Sequence, residues 1–258
     1  MIFVFTSTGN SLQLAEAIAT AMDDEVVRLD EVPDGPVDVT GYDTVGIITP
    51  VYYYNVPRIV MRFVDRMVTS EGQRFFLVLT CGTTPDHASK AAVKEFAKRG
   101  IDLTHTFEYR MPENYISLFS PPDEIRAAEL MDSVPAYAAE TVSKLCTEDR
   151  CHVSDCRGLL GLFTFFGPFA YDLMRRTSKF HADDGCTGCG LCTRICPDRI
   201  IELSDGRPVW TQQKCEHCMG CINRCPAHAI QYGRRTVGRR RFVNDRVRLR
   251  CRHTDVWR

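Results

Sequence analysis

Between Cys186 and Cys225 the chain twice carries the run Cys-x2-Cys-x2-Cys-x3-Cys-Pro, and no other feature restricts its fold as tightly. The first copy is Cys186-Thr-Gly-Cys189-Gly-Leu-Cys192-Thr-Arg-Ile-Cys196-Pro197. The second, offset by 29 residues, is Cys215-Glu-His-Cys218-Met-Gly-Cys221-Ile-Asn-Arg-Cys225-Pro226. Thirteen cysteines are many for 258 residues, and an oxidising compartment would turn them into disulfides. Met1, however, leads straight into Ile-Phe-Val-Phe, with no basic stretch and no small-residue cleavage site. The expectation is therefore a cytoplasmic chain whose reduced thiols do metal or redox work.

Three cysteines at i, i+3 and i+6 wrap a short loop around one iron–sulfur cubane and point backbone amides at its sulfides. In this run the fourth thiolate comes from the other repeat. The expected ligand sets are Cys186, Cys189, Cys192 and Cys225 for one cluster, and Cys215, Cys218, Cys221 and Cys196 for the other. Pro197 and Pro226 turn the chain away after the exchanged ligand. Gly188, Gly190 and Gly220 let the backbone approach. Structural zinc usually pairs two Cys-x2-Cys units around one ion, which is a different pattern. The region 180–233 resembles the two-cluster bacterial ferredoxins, and the resemblance implies two 4Fe–4S clusters in a small α+β domain. His217, inside the second run, reads as a surface residue that tunes potential or solubility.

The first half alternates apolar strand-like runs (Ile2–Thr6, Val26–Leu29, Val45–Thr49, Phe75–Thr80, Leu103–Tyr109) with amphipathic helical ones (Leu12–Met22, Arg58–Val68, His87–Arg99, Asp123–Leu145). Runs such as Val45-Gly-Ile-Ile lack alternation, as strands covered on both faces do. Five strands alternating with helices predict a doubly wound parallel α/β sheet over residues 1–147.

Strand one leads into Thr6-Ser7-Thr8-Gly9-Asn10-Ser11, where hydroxyls, amides and a helix amino terminus converge on what suits an anion. There is no Gly-Lys-Ser/Thr, hence no Walker A loop, and no Gly-x-Gly-x-x-Gly, hence no NAD(P) fingerprint. A capped βα turn with Ser11 or Asn10 as cap is the other reading of this loop. Strand three is followed by Pro50-Val51-Tyr52-Tyr53-Tyr54-Asn55, and strand four runs into Thr80-Cys81-Gly82-Thr83. In a sheet ordered 2-1-3-4-5 these loops border the crevice where a ligand sits, and three tyrosines there can wall a flat ring. Thr6–Ser11 resembles the flavodoxin phosphate loop, T-x-T-G-N then Ser or Thr. The resemblance implies a flavodoxin-like five-stranded domain whose Thr6, Ser7, Thr8, Asn10 and Ser11 hold an FMN phosphate. Pro50–Asn55 and Thr80–Thr83 would then flank the isoalloxazine, with Tyr52 the first choice for stacking. The loop after strand four lacks the aromatic and acidic residues usual in flavodoxins, which implies a more open flavin on that side.

Over residues 1–232 the chain resembles the flavodoxin–ferredoxin fusion proteins of anaerobic bacteria, and Met111-Pro-Glu-Asn-Tyr115 resembles theirs in position and sequence; a cover over the flavin from the strand-five side is one reading of it and an ordinary loop the other. Between the two domains lies a linker, 148–179. Cys146, just before it, and Cys151 and Cys156 within it read as plain thiols, and Gly158–Leu173 as a buried segment packing the domains together. The chain closes with ten arginines in 234–258. These lack a nucleic-acid motif and interleaved aromatics, and a docking patch for an acidic protein redox partner or a solvated tail fits them better. No 18-residue apolar run free of charge predicts a membrane span. Cys81 reads as a small residue packed against the ring. His87 and His105 are the histidines that could move protons near it, but no catalytic acid–base set is evident. The expected function is single-electron relay between FMN, the clusters and a protein partner. A flavin-dependent reductase fed by the clusters, or an iron–sulfur subunit without flavin, are the alternatives.

Overall fold

The computed structural model describes residues 1–83, 87–152 and 169–249. Strands of the first half are β1 (Ile2–Val4), β2 (Val26–Arg28), β3 (Val37–Asp38), β4 (Thr44–Pro50), β5 (Met67–Val68), β6 (Arg74–Cys81), β7 (Leu103–Arg110) and β8 (Cys151–His152). Six of them form one parallel sheet in the order β2-β1-β4-β6-β7-β8, while β3 and β5 make a separate parallel pair. The five expected strands therefore stand in the expected order. β8 adds a sixth, pairing Cys151 with His105 and His152 with Thr106. At two residues it is too short to give a sequence period.

Helices α1 (Asn10–Met22) and α2 (Arg58–Val64), then α3 (Ala88–Ala97), α4 (Glu124–Asp132) and α5 (Val134–Thr147), cover both faces. Because side chains alternate along a strand, Phe3, Ile47, Leu77 and Leu79 pack with α2 and α3, whereas Ile2, Val4, Ile48 and Val78 pack with α1 and α5. The single helix expected over Asp123–Leu145 is two. Pro135, in the first turn of α5, has no N–H to continue the α4 ladder and its ring would meet the carbonyl of Met131. The helix expected to Val68 stops at Val64, and Met67 pairs with Val37 instead.

The second domain contains β9 (Phe180–Ala182), α6 (Leu191–Ile195), β10 (Ile201–Ser204), β11 (Arg207–Trp210), α7 (Gly220–Asn223) and β12 (Ile230–Tyr232). β9 and β12 pair antiparallel, and β10–β11 is a hairpin. Its turn, Asp205-Gly206, has φ of 49° and 75°, as a two-residue type I′ turn requires. Each cysteine run enters one of the short helices α6 and α7.

The two domains and the arginine-rich end form one packed body. Tyr171, in a helical turn at 169–174, is buried with the α2–α3 layer and donates its hydroxyl to Glu216 Oε1 at 2.7 Å. This is the described end of the segment expected to join the domains; 158–168 lie outside the described residues, as does Cys156. After β12 the chain returns to the first domain. There Phe242 and Leu249 join the α1–α5 layer, and Arg246 pairs with Asp132 at 2.6 Å. The solvated-tail expectation thus fails for 236–249: apolar residues spaced among the arginines draw this stretch onto the protein. Among the described residues no helix is long and apolar enough to cross a membrane.

Gly46 of β4 faces its cross-strand partner Phe76, and a Cβ there would collide with the fully buried ring. Gly46→Ala should destabilise the first domain by about 1–3 kcal/mol through overpacking, and adding Phe76→Leu should restore part of the loss. Urea midpoints at unchanged slope read both effects; a midpoint equal to the parent's would show that this contact yields freely.

Candidate functional site

The carboxyl ends of β1, β4 and β6 open into one cleft. Thr6, Ser7, Thr8, Asn10 and Ser11 line it from the first loop, Pro50, Val51, Tyr52, Tyr53 and Tyr54 from the second, and Thr80, Cys81, Gly82 and Thr83 from the third. Of the expected residues, only Gly9 and Asn55 stand behind this lining.

The first loop has the shape of an anion cradle. Gly9 precedes α1 with φ 103°, and no side chain caps the helix there. Neither Asn10 nor Ser11 is the cap, so the amides of the first turn remain for a ligand. Other groups hold the loop's side chains. Asn10 Nδ2 donates to Pro112 O at 2.8 Å, Ser11 and Thr80 share a hydroxyl bond of 2.8 Å, and Asn114 Nδ2 donates to Thr8 Oγ1 at 2.7 Å. The returning tail supports the back of the loop: Asn244 N donates to Thr8 O at 2.8 Å, and its side chain donates to Gln13 Oε1 at 2.8 Å.

In the second loop Tyr52 and Asn55 exchange both backbone hydrogen bonds at 2.9 Å, and Tyr53 and Tyr54 take φ of 49° and 61°. A two-residue turn with both central φ positive and no glycine costs about 1–3 kcal/mol per residue and tends to persist at ligand clamps. It sends the three rings apart. Tyr52 is 7% exposed, packs edge-on against Phe5, and brings its hydroxyl to 3.5 Å from Ser7 Oγ. Tyr53 stacks on Tyr171 at 5.4 Å and shares a hydroxyl bond with Tyr115. Tyr54 lines the cleft without a ring contact to another described residue. The ring expected to stack thus belongs mostly to the core wall.

Segment 111–119 borders the cleft beside the loop after β6. Pro112, Glu113, Asn114, Tyr115, Leu118 and Phe119 all reach the cleft. Glu113 lies against Gly82, where any Cβ would collide with its carboxylate. Its Oε1 accepts from the amides of Asn114 and Tyr115 at 2.9 and 2.7 Å. The carboxylate missing from the loop after β6 is supplied here, from a distant part of the chain. Cys81 lines the cleft, with its thiol 3.6 Å from Thr83 O. His105 does not lie in the cleft: it is fully buried near the start of β7, 3.0 Å from Glu148 O. His87 is likewise absent from the lining.

The cysteines of the second domain surround two cavities. One is bordered by Cys186, Cys189, Cys192 and Cys225, the other by Cys196, Cys215, Cys218 and Cys221. Each thus gathers three cysteines of one repeat and the last of the other, as expected. Among the described residues no three His, Cys, Asp or Glu close on a single-ion site. Burial first, and then neighbouring thiols, push Cys192 up to about 11. Burial likewise pushes Cys215 up to about 12. Such thiols ionise together only around a strong cationic centre, so the donor set fits iron–sulfur clusters. Cys146 and Cys151 carry free thiols.

His217 departs from expectation. It is 2% exposed, enclosed by Tyr115, Phe180 and Tyr232, and it borders the second cavity. Its Nδ1 lies 2.8 Å from the Tyr115 hydroxyl, while its buried Nε2 has no partner. Burial pushes its pKa down to about 3, so the ring is neutral near pH 7. Sequence alone read it as a surface residue; its burial comes from Tyr115, Phe180 and Tyr232, none of them in its own cysteine run. The second cavity is therefore the one against the first domain. Cys218 packs on the α2–α3 layer, Gly220 lies against Ser7, and Asn223 Nδ2 donates to Asn114 O at 2.9 Å.

Comparison with known proteins divides the chain in the same way. A model of the flavodoxin domain matches residues 1–114, and a model of the 4Fe–4S dicluster domain matches 185–230. No curated protein matches. Among solved structures, an FMN-dependent NADH-azoreductase from Bacillus anthracis is similar at 11% identity, covering 57% of this chain and 98% of its own, with a TM-score of 0.39. A flavodoxin from Streptococcus pneumoniae TIGR4 is similar at 17% identity (54% and 96% covered, TM-score 0.33), and one from the domain Archaea at 13% (55% and 96%, TM-score 0.33).

A Cβ on Gly9 would stand 2.8 Å from Val247 Cγ2 and 2.9 Å from Asn244 Cβ, at a φ that side chains resist. Gly9→Ala should weaken FMN binding at least about tenfold, or 1.4 kcal/mol, and expose the tail to limited proteolysis. Flavin fluorescence titration and a digest time course check this; unchanged affinity would show that the loop tolerates the shift.

Proposed function

Because this chain joins a flavodoxin domain to a 4Fe–4S dicluster domain, we propose that it relays single electrons between FMN in the cleft, the two clusters in turn, and a protein partner. The chain is a flavin and iron–sulfur electron-transfer protein; the order of the relay is our inference. One observation carries it: the second cysteine cavity is joined to the cleft through His217 and Tyr115, whereas the first is lined wholly by the second domain and includes the exposed Cys189. When bound, FMN would supply a carrier able to take two electrons and the clusters carriers of one each. The protein's part is to hold, orient and insulate them. Thr6–Ser11 offers amides and hydroxyls to a phosphate, the tyrosine turn and Glu113 shape the ring site, and eight cysteines offer the iron ligands.

For the partner we propose an acidic redox protein. A groove beside the second domain is lined by Arg176, Lys179, Arg234 and Arg235 with Leu118, Leu173 and Met174 among them. These four cations form no ion pair with another described residue, and the three apolar side chains are between 37% and 48% exposed. A small apolar centre ringed by one sign of charge suits transient docking. Tyr232, in the groove wall, packs edge-on against His217 at 4.8 Å. Elsewhere in the tail the arginines bond the protein's own carbonyls: Arg239 donates to Ile116 O and Arg240 to Pro122 O, both at 2.8 Å, and Arg241 to Ile230 O at 3.1 Å.

Anaerobically purified protein should contain about eight irons, eight sulfides and one FMN per chain, measured by iron, acid-labile sulfide and released flavin. Eight irons with no flavin, even after FMN is added, would leave an iron–sulfur subunit and end the relay reading. With an acidic flavodoxin as probe, electron exchange should slow as salt rises. Arg176→Glu with Arg235→Glu should lower the low-salt rate by about tenfold or more. A rate indifferent to both salt and charge reversal would remove the groove as the docking site.

A further inference from the structure

We propose that His217 is the residue that sets the potential of the cluster held by Cys196, Cys215, Cys218 and Cys221, presenting Nε2–H to a sulfur in that cavity while Tyr115 fixes its tautomer. The proposal rests on the relay reading above.

The internal repeat supplies the first argument. An offset of 29 residues equates His217 with Gly188 and Met219 with Gly190. All four positions have positive φ: 67° and 69° in the first run, 58° and 57° in the second. The loop around each cavity therefore demands a left-handed backbone at both places, and the first run meets the demand with glycine at no steric cost. The second run holds an imidazole at the same strained position. Such strain persists where the surroundings hold the residue to a purpose.

The second argument is hydrogen bonding. The Tyr115 hydroxyl has one proton, and it also meets the Tyr53 hydroxyl. With Tyr53 donating to Tyr115 and Tyr115 donating to Nδ1, Nδ1 is the acceptor and the ring proton sits on Nε2. That nitrogen is buried, lacks a protein partner, and belongs to a residue bordering the four cysteines. A buried N–H without an acceptor would cost about 1–3 kcal/mol. Anionic sulfur in the cavity is the acceptor that completes it. The first cavity has only Gly188 at this position, so the donor belongs to one cluster of the two.

A donor to sulfur stabilises the more negative, reduced cluster and raises its potential. Redox titration of the full, anaerobically purified chain, followed by electron paramagnetic resonance, tests this. In His217→Phe, which keeps an aromatic ring in the box, one cluster should become about tenfold harder to reduce, or 59 mV for one electron, while the other keeps its potential. His217→Gln should recover most of the shift, and Tyr115→Phe should move the same cluster in the same direction by less. Where the phenylalanine at 217 fails to load iron, Tyr115→Phe decides: a shift supports the proposal and an unmoved potential overturns it. Both clusters unmoved in fully loaded His217→Phe also overturns it. Iron and flavin content of the parent, measured on the same samples, separates this outcome from failure of the relay reading.

Discussion

Each cysteine cavity takes its fourth thiol from the other repeat, and the arrangement of the second domain follows from that exchange. Cys196 must leave the first loop and reach the second cavity, and Cys225 must make the return crossing. The two loops therefore cannot move apart, and the short helices α6 and α7 pack together between them. β9 and β12 close the domain by pairing Phe180 with Tyr232. A domain of this size buries little apolar surface and is marginal alone. Its apolar cluster even includes five of the cysteines. Cluster ligation would supply the missing cohesion, as bound metal does in other small domains.

The same exchange decides which cavity faces the first domain. Once both loops are fixed, one cavity must lie nearer the first domain. The second does so because its loop packs on Ser7 while Asn223 and the returning tail hold it there. Asn223 binds Asn114 on one side and accepts from Phe242 N at 3.1 Å on the other. Asn244 then reaches Thr8 and Gln13 behind the Thr6–Ser11 loop. Two asparagines, each with a donor and an acceptor on one short side chain, thus join the cluster loop, the tail and the anion cradle.

The doubly wound sheet and the grouping of the cysteines around two cavities were legible in the sequence because each rests on a local, repeated signal: uninterrupted apolar runs in one case, cysteine spacing in the other. What was not legible depends on distant contacts. β8 is two residues long, and Met67–Val68 continues a helical pattern yet is taken into a strand by Val37. Pro135 was a visible break in the expected long helix, and Asp205-Gly206 a visible hairpin turn, so both were readable from turn and breaker chemistry. The burial of His217 and the place of Glu113 over Gly82 were not, since the residues that create those environments lie tens of positions away. The tyrosine run showed that a ring wall was present; only the turn's positive φ values decide which ring faces which way.

Polarity explains why the tyrosines and His217 lie where the domains meet. A purely apolar seam would pack well but would leave the buried amide and hydroxyl groups of two converging loops without partners. Tyr53, Tyr115, Tyr171 and His217 each present an apolar body and one polar atom, so they fill the seam and still bond across it. Tyr171 bonds Glu216, which has Cys215 before it and His217 after it in the chain. The side of the second loop facing the first domain is thus held by groups the first domain and linker supply. This arrangement makes the environment of one cluster depend on the flavodoxin domain. The first cavity, bordered by its own glycines and a hairpin, has no comparable neighbour among the described residues. Two loops of identical cysteine spacing thus acquire different surroundings.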